Sequence, residues 1–333
     1  MFVAGIDIGY SNLKLVSGEH DADAPDIFCC PVGAMPVDAN YLDLLMPGQE
    51  DQGIMVNVGD QNWVAGVEPV LSERKRRVLD ADYVDSDQYK ALFYASLLKM
   101  ERPEIDLLVT GLPMHQYLDS DFRKKLSWMQ GGHQITDAVS VNVKKIMTVG
   151  QPMGAYYDCA VNMAHDYPLN ELRVLVLDIG FFSSDWSVIT KHCMQGAWSG
   201  SSMQATSTIL EKTCSLLQKD FGKKFSRNDL EHAVRNQKNI MAFQKNIDYG
   251  QYIKRAAKNV LQDLVGEVKE HIREQDASFD AIIMVGGGAQ YLKEMAGQIE
   301  PSAMCIQPDR PVVANAHGFW DAGCIALARL SGD

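Results

Sequence analysis

The 333-residue chain contains no Gly-x-Gly-x-x-Gly and no Gly-x-x-x-x-Gly-Lys-Ser/Thr motif. That excludes the dinucleotide fingerprint and the phosphate loop in their recognisable forms. It contains no Cys-x-x-Cys pair. Its 7 cysteines are scattered, and only Cys29 and Cys30 are adjacent. An odd, dispersed set argues against a disulfide framework or a zinc ribbon and for reduced thiols. No run of 18 apolar residues occurs, and the opening segment MFVAGIDIGY has no basic n-region. The expectation is a cytoplasmic protein with no membrane partner. Basic residues are the minority, 31 against 43 acidic, for a net charge of −12. This balance disfavours direct binding to nucleic acid or to an anionic membrane.

What the chain does have is apolar content, 46% of residues, and length enough for two domains. Two short hairpins stand out: AGIDIGYSNLKLV (4–16) and LVLDIGFFSSDWSV (175–188). Each is an apolar strand, a turn opening on Asp-Ile-Gly, and a second strand. They lie about half a chain apart, and each starts a strand meander followed by helices and further strands. A duplicated α/β unit is the natural reading. In the first half, DIFCC adds a third strand. Residues 31–52 read as loop with at most one helix, and IMVNVGDQNWVAG reads as two strands around a turn. ERKRR (73–77) reads as a solvated charge run. The spacing predicts a helix over 87–101 with Asp87 as cap, and a doubly buried strand over 105–113. SVNVKKIMTVG is a further strand region, and QPMGAYYDCAVNMAHD opens a helix. In the second half, a long helix follows Ser201 or Ser202 as cap. A polar, mostly helical region spans 222–275. FDAIIMVGGGAQYLKEMAGQ reads as strand, glycine turn and helix, and NAHGFWDAGCIALARL as a closing helix.

Three segments carry chemistry. In the first hairpin, Gly9 lets the backbone turn close to a ligand. Turn N–H groups and the Ser11 hydroxyl can donate to phosphate oxygens, and Asp7 can hold a hydrated Mg²⁺. Lys14 can supply positive charge to a phosphate. An ordinary hairpin turn explains the same residues. VGGGA (285–289) joins a strand to a helix without side chains in the way, which suits a ligand site or a plain βα turn. Gln151, at a helix start, is either a surface residue or a group that orients a water.

Taken in order, five segments resemble the nucleotide site of the actin/Hsp70/sugar-kinase superfamily: GIDIGYSNLKL (5–15), QPMGAYYD (151–158), LDIGFFSSDW (177–186), IIMVGGGAQYL (282–292) and ANAHGFWDAG (314–323). Within it the likeness is to the bacterial actin-like ParM/StbA proteins of plasmid segregation. It rests on the first hairpin and on TGLPMHQYLD…FRKKL…NVKKIM (110–147). The resemblance implies a two-lobed actin-like ATPase fold of duplicated ribonuclease H-like domains. Lobe I would be 1–150 plus about 315–333, with an insertion near 31–90. Lobe II would be 151–314, with an insertion near 222–275. It implies MgATP in the cleft, with GTP as the alternative nucleotide. It also implies slow hydrolysis in the monomer, assembly into filaments, and a link to DNA through a centromere-binding adaptor.

Carried over by position, Asp7 and Asp178 would serve the metal and Gln151 the hydrolytic water. Gly9, Tyr10, Ser11, Asn12, Lys14, Gly180, Phe181, Phe182 and Ser183 would surround the phosphates. Gly286, Gly287, Gly288 and Ala289 would receive the adenosine, and Asn315 and Gly318 would lie at the lobe contact. The departure is Phe181-Phe182, where the family pattern has Gly-Thr or similar. Phenylalanine gives no hydroxyl and disfavours positive φ. The expectation is that one ring packs into lobe II while Ser183 and backbone amides hold the phosphate. A small-molecule kinase or a nucleotide-dependent scaffold on the same fold are the alternatives.

Overall fold

The computed structural model describes residues 1–38, 53–68, 83–242, 244–273, 278–292 and 296–331. The charge run 73–77, and much of the insertion expected near 31–90, lie outside them. The chain divides into two compact units, Met1–Tyr167 with Val313–Asp333, and Pro168–Val312. The longer helices are α1 (Asp87–Lys99), α2 (Gln151–Asn162), α3 (Thr206–Phe221), α4 (Gly250–Arg273) and α5 (Ala314–Ser331).

The first unit is built on a five-stranded sheet of β1 (Phe2–Ile8), β2 (Asn12–Glu19), β3 (Asp26–Pro31), β4 (Leu107–Leu112) and β5 (Ile146–Gly150), in the order β5-β4-β1-β2-β3. β1, β2 and β3 pair antiparallel, whereas β4 pairs parallel with β1 and β5 parallel with β4. All seven residues of β1 are buried, because both faces of the sheet are covered. Ala4, Ile6 and Ile8 join Leu92, Phe93 and Leu108 in one core. Val3 joins Leu107, Val109, Phe319 and Trp320 in the other, under α5. The near-continuous apolar run of β4 thus serves two cores at once.

The second unit repeats this plan. Its sheet comprises β6 (Arg173–Ile179), β7 (Ser184–Thr190), β8 (Cys193–Ser202), β9 (Ala281–Val285) and β10 (Met304–Ile306), ordered β8-β7-β6-β9-β10. Again three strands form an antiparallel meander, and two more add in parallel. Strand order and strand sense are the same in both units, which is the actin-like two-domain plan of the sequence reading.

Several local expectations shift. The cap of α1 is Ser86, whose Oγ accepts from the Tyr89 N–H at 3.1 Å; Asp87 is the first helical residue. Neither Ser201 nor Ser202 caps α3, since both end β8. The residue before α3 is Ala205, which has no side chain to cap with. Instead the N–H groups of Thr206 and Ser207 donate to the carbonyls of Gly180 and Phe181, at 3.1 and 2.8 Å. SVNVKKIMTVG is two strands in two sheets, because the chain leaves Ser140–Val143 and enters the main sheet at Ile146. A strand Gly33–Pro36 lies in the stretch read as loop, and it pairs with Gln61–Val67. The expected division at Gln151 falls after α2, because α2 packs on α5 and so stays with the first unit. The polar region after α3 holds a helix Arg227–Arg235, a small hairpin (Ile240–Ala242 with Lys245–Ile247) and α4.

Candidate nucleotide site

The two Asp-Ile-Gly hairpins are the same object in register. Asp7 stands opposite Lys14 and Ile8 opposite Leu13; Asp178 stands opposite Asp185 and Ile179 opposite Ser184. Each therefore carries a four-residue turn, Gly9-Tyr10-Ser11-Asn12 in one and Gly180-Phe181-Phe182-Ser183 in the other. The turn positions of Ser11 and Ser183 are not equivalent: Ser183 matches Asn12, and Ser11 matches Phe182.

In the first hairpin the Gly9 N–H donates to the Asn12 carbonyl at 3.1 Å and closes the turn. Asp7 is 2% exposed. Its Oδ2 accepts from Lys14 Nζ at 2.9 Å and its Oδ1 from Gln151 Nε2 at 3.0 Å. So the structure brings Asp7, Lys14 and Gln151 together, with Gln151 carried on the first residue of α2. Using its amide N–H₂ on Asp7 leaves the Gln151 Oε1 as an acceptor. Lys14 is committed to Asp7, and its Nζ would lie 3.2 Å from a Cβ on Gly9. Tyr10 stacks on Tyr83, ring centroids 4.8 Å apart, and Tyr83 OH donates to the Gly9 carbonyl at 3.3 Å.

The second hairpin has the opposite charge at the matching place. Asp178 and Asp185, 6% and 3% exposed, face each other across the strands. Asp185 accepts from Ser183 Oγ at 2.9 Å and from Ser201 Oγ. Ser183 therefore donates its proton to Asp185 and not outward. Phe181 is buried at 9% exposure and Phe182 half-buried. One ring packs into the unit, as expected.

The glycine turn packs on this hairpin. Gly286 has φ +86°, and a Cβ there would stand 2.5 Å from Asp178 Oδ1. The Gly288 N–H donates to the Ile179 carbonyl at 3.1 Å. Gly286 and Gly288 are thus needed for close packing on Asp178 and Ile179. Only Gly287 has open space where a side chain would point. The helix after the turn, Ala289–Leu292, is four residues long and too short to act through a macrodipole. Asn315 and Gly318 sit where α5 crosses α2: a Cβ on Gly154 would stand 2.5 Å from the Asn315 carbonyl oxygen.

Sequence reasoning missed a cavity of about 610 Å³ along α3, lined by Glu211, Cys214, Ser215 and Gln218 on one helix face and by Phe225 and Arg227 beyond it. Arg227 Nη1 donates to Glu211 Oε1 at 2.6 Å. Burial pushes the Cys214 thiol up to about 11, so it stays protonated. The signal in the sequence was an i, i+4, i+7 polar stripe (211, 215, 218), which the other polar residues of this helix mask.

Residues 5–154 match the family model of the actin-like proteins' N-terminal domain. Residues 176–296 match that of the archaeal actin homologue MreB-like C-terminal region. The chain is an actin-like protein. A search of the curated proteins gave no match. Among solved structures, this actin-like chain is similar to a 15-stranded ParM filament from Clostridium botulinum, with TM-score 0.72, 21% identity, and coverage of 97% of this chain and 98% of that one. It is also similar to the archaeal actin homologue Ta0583 in complex with ADP, at TM-score 0.73, 16% identity and coverage of 97% and 99%. A third is the actin-like protein Alp7A, at TM-score 0.72, 14% identity and coverage of 99% and 97%. Among the described residues, no helix is long and apolar enough to cross a membrane.

Proposed function

We propose that this actin-like protein binds MgATP, hydrolyses it and polymerises into filaments that separate plasmid copies in the cytoplasm. DNA would be reached through a centromere-binding adaptor. The observation that carries the reading is the Asp7–Lys14–Gln151 group: a buried carboxylate at a strand end, held by a cation on one side and by a glutamine amide on the other.

Asp7 and Asp178 would hold the hydrated Mg²⁺. The fit is chemical: both are buried carboxylates at strand ends, and Asp178 faces a second carboxylate in Asp185, an oxygen-rich setting that suits a hard cation. The ion would neutralise charge on the phosphates. The protein's own part is positioning. With its amide held by Asp7, Gln151 can accept a hydrogen bond from a water through Oε1 and orient it, and it is too weak a base to do more. At the second hairpin the Ser183 hydroxyl is spent on Asp185, so phosphate contact falls to backbone N–H groups of residues 180–183.

The cavity along α3 would take the nucleoside. Glu211 lies five residues beyond Thr206, which is bonded to the hairpin, and that is roughly 7.5 Å along a helix. The span suits the distance from a phosphate to a ribose, and the volume is in the range of small-molecule sites. The ADP complex of Ta0583 and the filament of the C. botulinum ParM support the reading by likeness of fold.

The test is assembly of the purified protein, followed by light scattering and pelleting with ATP, ADP, a non-hydrolysable ATP analogue or no nucleotide. The expected result is polymer with ATP only, or with ATP and its analogue. Gln151→Ala should keep nucleotide binding and lower phosphate release by roughly 100-fold, the size of effect typical when a reacting group loses its orientation. Absence of nucleotide-dependent polymer across salt and crowding conditions would overturn the filament reading. Stable inheritance of a test plasmid without this protein would overturn the segregation role.

A further inference from the structure

We propose that Asp158, His317 and Asp321, with Asn162 beside them, form a binding site for one divalent transition cation, which ties α2 to α5. The site is carried by two helices of the first unit. Asp158 and Asn162 are one turn apart on α2, and His317 and Asp321 one turn apart on α5, so each helix presents a pair on one face. None of the four belongs to the Asp7–Lys14–Gln151 group.

Three ligand atoms are gathered at one place, the number a four-coordinate ion with one water would take. His317 Nδ1 lies 2.9 Å from Asp158 Oδ1 and 3.3 Å from Asp321 Oδ2. The Asn162 amide nitrogen lies 3.0 Å from Asp158 Oδ1, 3.2 Å from Asp321 Oδ2 and 3.3 Å from His317 Nδ1. The carboxylate and imidazole ligand atoms lie within 4.8 Å of one another. Metal–ligand bonds of about 2.0–2.2 Å place tetrahedral ligand atoms about 3.3–3.6 Å apart. The two edges from His317 Nδ1 to the carboxylate oxygens, 2.9 and 3.3 Å, are near that, and the two oxygens lie no more than 4.8 Å apart. The Asn162 amide nitrogen faces acceptors, the Asp158 carbonyl among them at 2.9 Å, so Asn162 is a donor beside the site and the fourth position would go to a water once its side chain swings aside.

Hydrogen-bond donors and positive charge are both short at this cluster. Asn162 Nδ2 has two hydrogens, yet it stands within bonding reach of three acceptors: the Asp158 carbonyl at 2.9 Å, Asp158 Oδ1 at 3.0 Å and Asp321 Oδ2 at 3.2 Å. Among the described residues, no lysine or arginine is ion-paired with Asp158 or Asp321, and His317 is the one group that can offset them. Asp158 is 9% and Asp321 4% exposed, so two carboxylates share at most one positive charge out of bulk water. A divalent ion on a neutral imidazole and two carboxylates balances the charge, whereas an imidazolium leaves one negative charge over. The donor set, one nitrogen with oxygens, suits Zn²⁺ or Co²⁺ better than Mg²⁺.

The test needs no nucleotide, so its outcome is independent of the proposed ATPase activity. Metal-free protein is titrated with Co²⁺ while visible absorption and thermal midpoint are followed. Zn²⁺ is then added in competition, and Mg²⁺ serves as control. The expected result is one Co²⁺ per chain, with the intense visible bands of four-coordinate cobalt. Thermal stability rises with Co²⁺ and Zn²⁺ but not with Mg²⁺. His317→Gln and Asp158→Asn should each lower affinity by about 100-fold or more, since each removes a ligand and even outer-shell partners cost 10–100-fold. Because either variant alone could fold poorly, far-ultraviolet circular dichroism is recorded for both, and Asp321→Asn is the third. No saturable cobalt binding, or binding unchanged in the folded variants, would overturn the proposal.

Discussion

A Cβ on Gly318 would overlap the carbonyl oxygen of Gly154, so α5 and α2 cross backbone against backbone. Phe319, fully buried beside this contact, leaves no slack: a Cβ on Gly154 would meet its ring at 2.5 Å. Gly318→Ala must push the helices apart. A loss of about 1–3 kcal/mol or more is expected for overpacking of this kind. Urea denaturation reads it, and an unchanged midpoint would mean the crossing is looser than described.

Lys14→Ala removes the cation from an Asp7 that is 2% exposed. Leaving a buried carboxylate without its partner costs about 3–5 kcal/mol, more than the intact pair contributes. The double variant Lys14→Ala with Asp7→Asn should recover part of the loss, because the uncompensated charge is gone. A double variant no more stable than Lys14→Ala alone would count against the charge argument.

The two phenylalanines of the second turn should differ. Phe181 is buried, and Phe181→Ala is expected to cost about 3–5 kcal/mol. Phe182 is half-buried, and the matching change should cost markedly less. Equal losses in chemical denaturation would show that the rings share one packing role.

His317 predicts a pH dependence in metal-free protein. Its hydrogen bond to Asp158, then that to Asp321, raises its pKa from 6.5 to about 9 against the opposing effect of burial. A raised folded-state pKa means the stabilisation is complete below pH 6.5 and fades as pH climbs through about 9. The excess stability of wild type over His317→Gln should shrink across that window. Burial raises the pKa of its partner Asp321 above the ordinary carboxylate value. A difference that stays flat from pH 6 to 10 would contradict the pairing.

The strands and the hairpin pair were legible because alternation, glycine turns and buried runs are local signals. β4 reads as doubly buried from its residues alone, and it is. Positions whose role depends on a distant neighbour were not legible. A near neighbour can be as hidden: Ser183 looks like a phosphate ligand until the strand geometry turns Asp185 to the same side, where it takes the proton. Gly286 and Gly288 look like an open cradle until Asp178 and Ile179 occupy the space beside them. The capping serine of α3 is missing because hairpin carbonyls from another part of the chain do its work. The Asp158–His317 cluster needs two helices separated by half the chain to cross at one angle, which no window of sequence contains.

The matched hairpins carry one further consequence. Register and turn length are identical, yet Lys14 in one copy is Asp185 in the other. The first hairpin is an internally neutral acid–base pair, and the second is a pair of acids. Descent from a common ancestor would have kept the scaffold and inverted the electrical character of a single rung. Neither copy can therefore stand in as a spare for the other, and a gene conversion that made them alike would erase a distinction the backbone alone does not hold.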